Sequence, residues 1–171
     1  MAYINIEIKA RTQSAATIRE VLLGKGAELK GLDQQTDTYF NVAQGRLKLR
    51  EGKIENNLIY YQRHNQAGPK QSDFSLSPVK DPSSLKEILS LSLGIKVIVR
   101  KQREIFYIGN VKFHLDKVDQ LGEFVEIEAG NILADLSVDE LKDQCNYYVQ
   151  LFGITYADLI QNSYSDLLLD R

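Results

Sequence analysis

The opening of the chain alternates apolar and polar residues with a period of two, which is the pattern of a strand with one packed face and one polar face. Three isoleucines share the first face, and four polar residues share the second. These are Ile4, Ile6 and Ile8 on the apolar side and Asn5, Glu7, Lys9 and Arg11 on the polar side. We therefore predict a strand whose two sets of side chains point in opposite directions.

Eight later segments carry similar alternation or β-branched runs, and we predict that each of them is a strand. They are Glu28–Gln34, Asp37–Phe40, Arg46–Glu51, Leu58–His64, Asp73–Ser77, Val97–Arg103, Val111–Val118 and Glu123–Ala129. The sequence leaves open whether the strand that begins at Val97 continues to Ile108.

Apolar residues at helical spacing predict three helices between these strands. The first spans Ser14–Gly24 with Ser14 as its N-cap, the second begins at Asp81-Pro82 and ends at Gly94, and the third begins at the capping box Ser137–Glu140 and ends at Gly153. Leu85, Ile88 and Leu89 form the apolar stripe that we expect the second helix to bury.

Composition narrows the class of protein. The chain has 171 residues, 43% of them hydrophobic and 26% charged, which favours one folded domain over residues 1–171. A net charge of −2 argues against non-specific nucleic-acid binding, and no apolar run is long enough to span a membrane. Residues 1–11 lack the apolar stretch of a secretory signal, so we expect a cytoplasmic protein. Cys145 is the single cysteine and is expected to be a packed core thiol.

The polar faces of several predicted strands carry charged side chains rather than Ser, Thr or Gln. The rows are Arg46, Lys48 and Arg50; Lys101 and Arg103; Lys112, His114 and Asp116; and Glu126 and Glu128. A half-exposed antiparallel sheet with its polar side in water explains any single row. A closed barrel explains them together, if the cations hold a polyphosphate inside it and the acids hold a divalent metal. The residues alone leave both interpretations open.

Seven short motifs, in order along nearly the whole chain, are similar to those of one family. They are Asn5-Ile-Glu-Ile-Lys9, Asp37-Thr-Tyr-Phe40, Arg46-Leu-Lys-Leu-Arg-Glu51, Leu58-Ile-Tyr-Tyr-Gln-Arg63, Lys101-Gln-Arg103, His114-Leu-Asp116 and Leu121-Gly-Glu-Phe-Val-Glu-Ile-Glu128. The first resembles the ExExK signature of the CYTH superfamily, named for the class IV adenylate cyclases (CyaB-like) and thiamine triphosphatases. The end of the chain, Ser163–Leu168, also resembles the end of cyclase-type members.

The resemblance implies an α+β fold, the triphosphate tunnel fold, in which eight antiparallel strands close into a barrel with helices packed outside. It also implies Mg²⁺ or Mn²⁺ as the cofactor. By position, the metal-binding acids would be Glu7, Asp116, Glu126 and Glu128. The substrate-binding cations would be Lys9, Arg11, Lys48, Arg50, Arg63, Lys101, Arg103 and Lys112, of which Arg11 and Lys112 match less firmly. Glu7 and Lys9, both in the signature, would take part in catalysis.

The reaction that this resemblance implies is the conversion of ATP to cyclic AMP and pyrophosphate. One alternative is hydrolysis of inorganic, thiamine or nucleoside triphosphate, and another is a non-catalytic polyphosphate-binding module. Asn5 stands where the signature has its first Glu, and residues 1–4 lack the His-Phe pair of some cyclases. The expected partner is a triphosphate small molecule, without nucleic acid or membrane. The oligomeric state stays open, with a homodimer as one option.

Overall fold

The computed structural model describes residues 3–171. Residues 1 and 2 lie outside the described residues; they belong to the N-terminal segment in which we expect no secretory signal. The structure has eight strands: β1 (Tyr3–Arg11), β2 (Glu28–Phe40), β3 (Arg46–Glu51), β4 (Asn57–Arg63), β5 (Lys70–Pro78), β6 (Ile95–Ile108), β7 (Val111–Val118) and β8 (Gly122–Gly130). They close into a barrel in the order β1-β5-β4-β3-β2-β6-β7-β8, and every neighbouring pair is antiparallel. The predicted eight-stranded barrel is confirmed.

Two predicted strands, Glu28–Gln34 and Asp37–Phe40, form the single long strand β2. Gln35 and Thr36 interrupt the apolar pattern but not the strand, because Gln35 is buried inside the barrel and hydrogen-bonded there. The register against β6 shifts between Leu29 and Gly31, where Gly31 has a positive φ of 136°. The sequence left open whether the strand that begins at Val97 continues to Ile108; in the structure this strand, β6, does continue to Ile108.

Four helices accompany the barrel: α1 (Ala15–Gly24), α2 (Pro82–Leu93), α3 (Val138–Leu151) and α4 (Tyr164–Leu169), with a 3-10 turn at Tyr156–Asp158. The first three were predicted. Helix α4 was not, because six residues are too few to show helical periodicity in the sequence. Among residues 3–171, no helix is long and apolar enough to cross a membrane.

Helices α1 and α3 pack on the outer face of β1, β7 and β8. Ile6 and Ile8 of β1 are buried there with Phe113 of β7 and Leu141 of α3, as the alternation of β1 predicted. Cys145 belongs to the same cluster, and its thiol donates to the Ile6 carbonyl oxygen at 3.1 Å. Burial raises the pKa of Cys145 to about 12, which confirms a packed core thiol rather than a reactive one.

Helix α2 is packed more loosely than its sequence suggested. It contacts β2 and β3, yet none of its residues is fully buried, and Ile88 is 61% exposed. The predicted burial of its whole apolar stripe is therefore wrong for Ile88. Asp81 does cap the helix by accepting from the Ser84 backbone N–H, whereas the Ser14 hydroxyl makes no such bond in α1.

Candidate active site

The barrel encloses a cavity of about 350 Å³ that is lined by the polar faces of its strands. In β1, Glu7 and Lys9 face this cavity while Ile6 and Ile8 face the helices. Seven of the eight predicted substrate-binding cations line it. They are Lys9, Lys48, Arg50, Arg63, Lys101, Arg103 and Lys112. Period-two alternation on five different strands (β1, β3, β4, β6 and β7) therefore brings these side chains to one place.

Arg11 is the predicted cation that does not reach the cavity. It is exposed, its Nη1 donates to the Leu121 carbonyl oxygen at 3.0 Å, and its guanidinium lies over the Phe124 ring. The physical reason is its position, because Arg11 ends β1 beside Phe124, which is fully buried at the end of the barrel.

Asp37 is the centre of a group that we call the Asp37 cluster (Asp37, Lys48, Arg50 and Lys101). Arg50 donates to both carboxylate oxygens, at 2.9 and 2.8 Å, and Lys101 Nζ donates to Oδ2 at 2.8 Å, while Lys48 Nζ lies 3.4 Å away. Burial alone would raise the pKa of Asp37, but the charges of Arg50 and Lys101 outweigh it and hold the pKa well below its ordinary value.

A second group, the acidic cluster, consists of His114, Glu126 and Glu128. Glu126 Oε2 lies 3.0 Å from His114 Nδ1 and 3.2 Å from Arg103 Nη2, and Lys9 Nζ lies 3.3 Å from Oε1. Glu128 lies opposite Glu7 in the β1–β8 register. One ligand atom from each member of the cluster lies within 4.8 Å of the others, an arrangement that could hold a metal ion.

The two other predicted metal-binding acids lie outside this group and have cation partners of their own. Asp116 accepts from Arg103 at 2.7 and 2.6 Å and from the Tyr164 hydroxyl at 2.8 Å, and it is not among the residues that line the cavity. Glu7 lines the cavity and pairs with Arg63. The structure thus groups Glu126 and Glu128 with His114, whose part the sequence analysis missed because a lone histidine in a charged row has no distinguishing spacing.

Burial also changes the protonation of several of these groups. It lowers the pKa of Lys101 to about 7 although the Asp37 carboxylate opposes the shift, and it lowers the pKa of Lys9 and of His114. For Glu126, burial acts in the opposite direction, but the charges of Lys9 and Arg103 hold its pKa well below the ordinary value. Asp37 and Glu126 are therefore charged at neutral pH, whereas the pKa of Lys101 lies near it.

The C-terminal segment, residues 156–169, closes one end of the cavity. This is the end at which β1 finishes and β8 begins. Tyr164 and Ser163 line the cavity there, and Lys9 Nζ lies 3.8 Å from the centre of the Tyr164 ring. Arg46, from one of the charged rows, pairs with Asp166 of α4 at 2.8 Å and so anchors this segment. Buried Lys70, which the sequence analysis missed, donates to the Gln161 carbonyl oxygen at 3.0 Å.

The opposite end is open and has a mixed lining. Leu76, Ile132 and Leu133 line the cavity with 40–67% of their surface exposed. Beside them lies the loop between β3 and β4, from which Glu55 contacts Lys112 and Arg50. A molecule entering here passes an apolar rim and then meets the charged walls.

The fold and the lining of this cavity agree with a family comparison. The model of the CYTH domain matches residues 3–151. The chain belongs to the CYTH family. CYTH members are adenylate cyclase-like enzymes or triphosphatases, and they generally depend on a divalent metal. No curated protein sequence matches this CYTH domain.

Solved structures share the fold of this CYTH domain. A protein from Pyrococcus horikoshii OT3 has a TM-score of 0.82 and 24% identity, covering 95% of this chain and 98% of its own. An adenylate cyclase candidate from Vibrio parahaemolyticus has a TM-score of 0.78 and 19% identity, covering 97% and 98%. An adenylyl cyclase candidate from Hippeastrum, described as having a dominant triphosphatase activity, has a TM-score of 0.64 and 14% identity, covering 98% and 94%. At these identities the likeness establishes the fold alone.

Proposed function

We propose that this CYTH domain binds a triphosphate in its tunnel and converts ATP to cyclic AMP and pyrophosphate with the help of a divalent metal. The observation that carries the proposal is the convergence of seven Lys and Arg side chains from five strands on one cavity closed at its far end. Lysine and arginine donate charge-assisted hydrogen bonds to phosphate oxygens, and a chain of three phosphates offers enough oxygens to engage several cations at once.

The cations are paired with carboxylates in the structure described here, so phosphate binding exchanges one set of anions for another. Arg50, Lys48 and Lys101 are held by Asp37, and Lys9 is held by Glu126. Phosphate oxygens that enter between these groups gain donors that are already oriented, which lowers the cost of ordering them on binding. Lys9, beside Tyr164 at the closed end, would meet the terminal phosphate.

The acidic cluster fits a divalent metal. Glu126 and Glu128 are two residues apart on β8, so their carboxylates project to the same side, and carboxylate oxygens suit Mg²⁺ or Mn²⁺. Glu7 lies opposite Glu128 and is near enough in register to contribute. A metal held here would neutralise charge on phosphate oxygens as the reaction proceeds. The remaining cations hold the phosphate chain straight and exclude competing arrangements.

In the proposed reaction the 3′-hydroxyl of the ribose gives its proton to solvent as its oxygen attacks the α-phosphorus, and the bond from that phosphorus to the oxygen that bridges to the β-phosphorus breaks. Pyrophosphate leaves with the negative charge, which Lys9, Lys48 and Lys101 stabilise at the closed end. The apolar rim at the open end, with Leu76 and Leu133, would face the nucleoside. The protein's main contributions are orientation and charge stabilisation.

Hydrolysis of a triphosphate is the second candidate, because the adenylyl cyclase candidate from Hippeastrum with the same fold is described by a dominant triphosphatase activity. In that reaction water attacks the terminal phosphorus, and the same cations stabilise the leaving diphosphate. A non-catalytic module remains the third candidate, since Asn5 removes one carboxylate from the signature.

One panel of substrates separates the three candidates. ATP, thiamine triphosphate and inorganic triphosphate are each incubated with Mg²⁺ or Mn²⁺, and the products are identified separately. Cyclic AMP with pyrophosphate supports the proposal, and inorganic phosphate as the main product supports hydrolysis. Binding of triphosphate without turnover of any substrate would leave the binding module, and absence of binding would refute all three.

A further inference from the structure

Glu55 lies at the open end of the tunnel and is held by cations from two strands that are not neighbours. Its Oε2 accepts from Lys112 Nζ of β7 at 2.6 Å, and its Oε1 lies 3.3 Å from Arg50 Nη1 of β3. Gln35 Nε2 of β2 also donates to Oε1, at 2.8 Å. Burial alone would raise the pKa of Glu55, but Arg50 and Lys112 outweigh it, so the carboxylate is charged.

The backbone that carries Glu55 is fixed by a buried carboxylate. Asp33, which is fully buried, accepts from the backbone N–H groups of Lys53, Ile54 and Glu55 at 2.7, 3.1 and 3.0 Å. Gly52 completes this packing, because a Cβ there would lie 2.5 Å from Asp33 Oδ2. The loop therefore presents Glu55 at a constant position, and only its side chain is free to leave.

From this geometry we propose that Glu55 is a specificity-determining residue, an internal anion that occupies the outermost phosphate position of the tunnel. The inference rests on the proposed function, since it takes Arg50 and Lys112 as phosphate ligands. An anion short enough to stay at the closed end leaves Glu55 in place. A triphosphate extends to Arg50 and Lys112 and must displace the carboxylate from them.

Glu55 differs from Asp37, the other carboxylate bound to Arg50, in its position and in its exposure to solvent. Asp37 belongs to the barrel wall, lies directly opposite Arg50 in the register of β2 and β3, and has 1% of its side chain exposed. Glu55 belongs to a loop, and 17% of its side chain is exposed, as is 18% of the side chain of Lys112. The ion pair at the open end is thus the one that solvent and an incoming anion reach first.

The test compares the parent protein with Glu55→Gln, which keeps the shape of the side chain and removes its charge. Calorimetric titrations with tripolyphosphate and with pyrophosphate, at fixed salt and with EDTA, give the dissociation constants without metal. We expect Glu55→Gln to bind tripolyphosphate about tenfold more tightly, equivalent to about 1.4 kcal/mol, and to change pyrophosphate binding by less than about twofold. The matched control is Glu104→Gln, which breaks an ion pair with Arg19 outside the cavity and should change neither constant.

Unchanged or weaker tripolyphosphate binding in Glu55→Gln would overturn the inference while leaving the proposed function intact, provided that the parent binds tripolyphosphate. If neither protein binds it, the proposed function fails and the inference fails with it. Thermal unfolding of each variant checks its folding. If Glu55→Gln does not fold, Glu55→Asp withdraws the carboxylate by one methylene and should tighten tripolyphosphate binding by a smaller factor; unchanged binding there overturns the inference equally.

Discussion

The Asp37 cluster and the acidic cluster both contain carboxylates that face the tunnel, but the two groups have different roles. Asp37 is surrounded by three cations and has 1% of its side chain exposed. Glu128 has 19% exposed, and across the described residues no lysine or arginine forms an ion pair with it. A carboxylate saturated by cations holds those cations in place, whereas one with free lone pairs can take a metal. For Asp37 and Glu128, the number of neighbouring cations rather than the presence of the acid separates the two uses.

The largest expected effect comes from removing the charge of the less saturated acid. Glu128→Gln keeps the shape of the side chain but weakens the proposed metal site, so metal-dependent turnover should fall by at least about a hundredfold. Binding of triphosphate without metal should persist or tighten, because one carboxylate that repels the phosphates is gone. Product assays with Mn²⁺ and calorimetry with EDTA measure the two effects separately.

Asp116→Asn is the comparison variant, since Asp116 is saturated by Arg103 and Tyr164 and lies off the cavity lining. It should lower the stability of the fold while the metal concentration at half-maximal rate stays the same. If Glu128→Gln keeps full metal-dependent turnover, the distinction between saturated and free carboxylates is wrong for this tunnel.

The next effect, on stability, comes from Asp37→Asn. This change leaves Arg50, Lys48 and Lys101 crowded without their shared counter-charge, and we expect the free energy of unfolding to fall by about 3–5 kcal/mol. Tripolyphosphate should restore more stability to the variant than to the parent, because it replaces the missing anion. Thermal unfolding with and without tripolyphosphate measures this, and an equal gain in both proteins would contradict it.

The same cluster predicts a pH dependence of a defined sign. The pKa of Asp37 is lower in the folded than in the unfolded chain, so its stabilisation is present above the unfolded pKa and is lost as the pH falls through the folded one. The parent should lose stability in acid more steeply than Asp37→Asn does. Urea unfolding across the acidic range checks the difference in slope.

A smaller effect is expected from Arg50→Ala, which removes a proposed phosphate ligand from the Asp37 cluster. Triphosphate should bind about ten- to a hundredfold more weakly. Crowding of cations on its own would predict a more stable variant, but Arg50 bonds Asp37 and Glu55, so we expect a lower melting temperature. Calorimetry and thermal unfolding test both statements; binding equal to that of the parent would exclude Arg50 as a ligand.

The sequence predicted the walls of the tunnel better than its ends. Alternation assigns each strand residue to one face, which is why Lys48 and Lys101 were correctly expected in the interior. It does not say how far along the tunnel a residue lies. Arg11 and Asp116 share the inward face of their strands, but Arg11 lies beside Phe124 where β1 ends and Asp116 bonds Tyr164 at the closed end, so neither lines the cavity.

The sequence also did not show which charged side chains pair with one another inside the tunnel. Glu55 lies in a loop without any period, and its contact with Lys112 depends on the closure of the barrel. Asp37 was part of a recognised motif, and a row of buried cations does require nearby counter-charge, so this signal was available. Lys70 offered none, because a single lysine at the start of a strand is ordinarily exposed.

Protonation provides a finer distinction between the two groups. Since burial lowers the pKa of Lys101 to about 7, much of it is neutral at pH 8 in the free protein. Phosphate beside it favours the charged form, so triphosphate binding should take up a fraction of a proton at pH 8 and less at pH 6. Calorimetry in buffers of different ionisation enthalpy measures the uptake. Lys101→Met should reduce it, and an uptake unchanged in that variant would assign it to another group.

The smallest expected effect adds a carboxylate beside the acidic cluster. Asn5 lines the cavity, one inward position from Glu7 on β1 and opposite Gly130 of β8. A glutamate there restores the negative charge of the signature next to the pair Glu7 and Glu128, so the metal concentration at half-maximal rate should fall by about three- to tenfold in Asn5→Glu. Asn5→Gln has the same reach without the charge and should leave that concentration unchanged. Titrations of Mn²⁺, followed both by rate and by calorimetric binding, decide the matter: equal shifts in the two variants would mean that side-chain length rather than charge limits metal binding at this position.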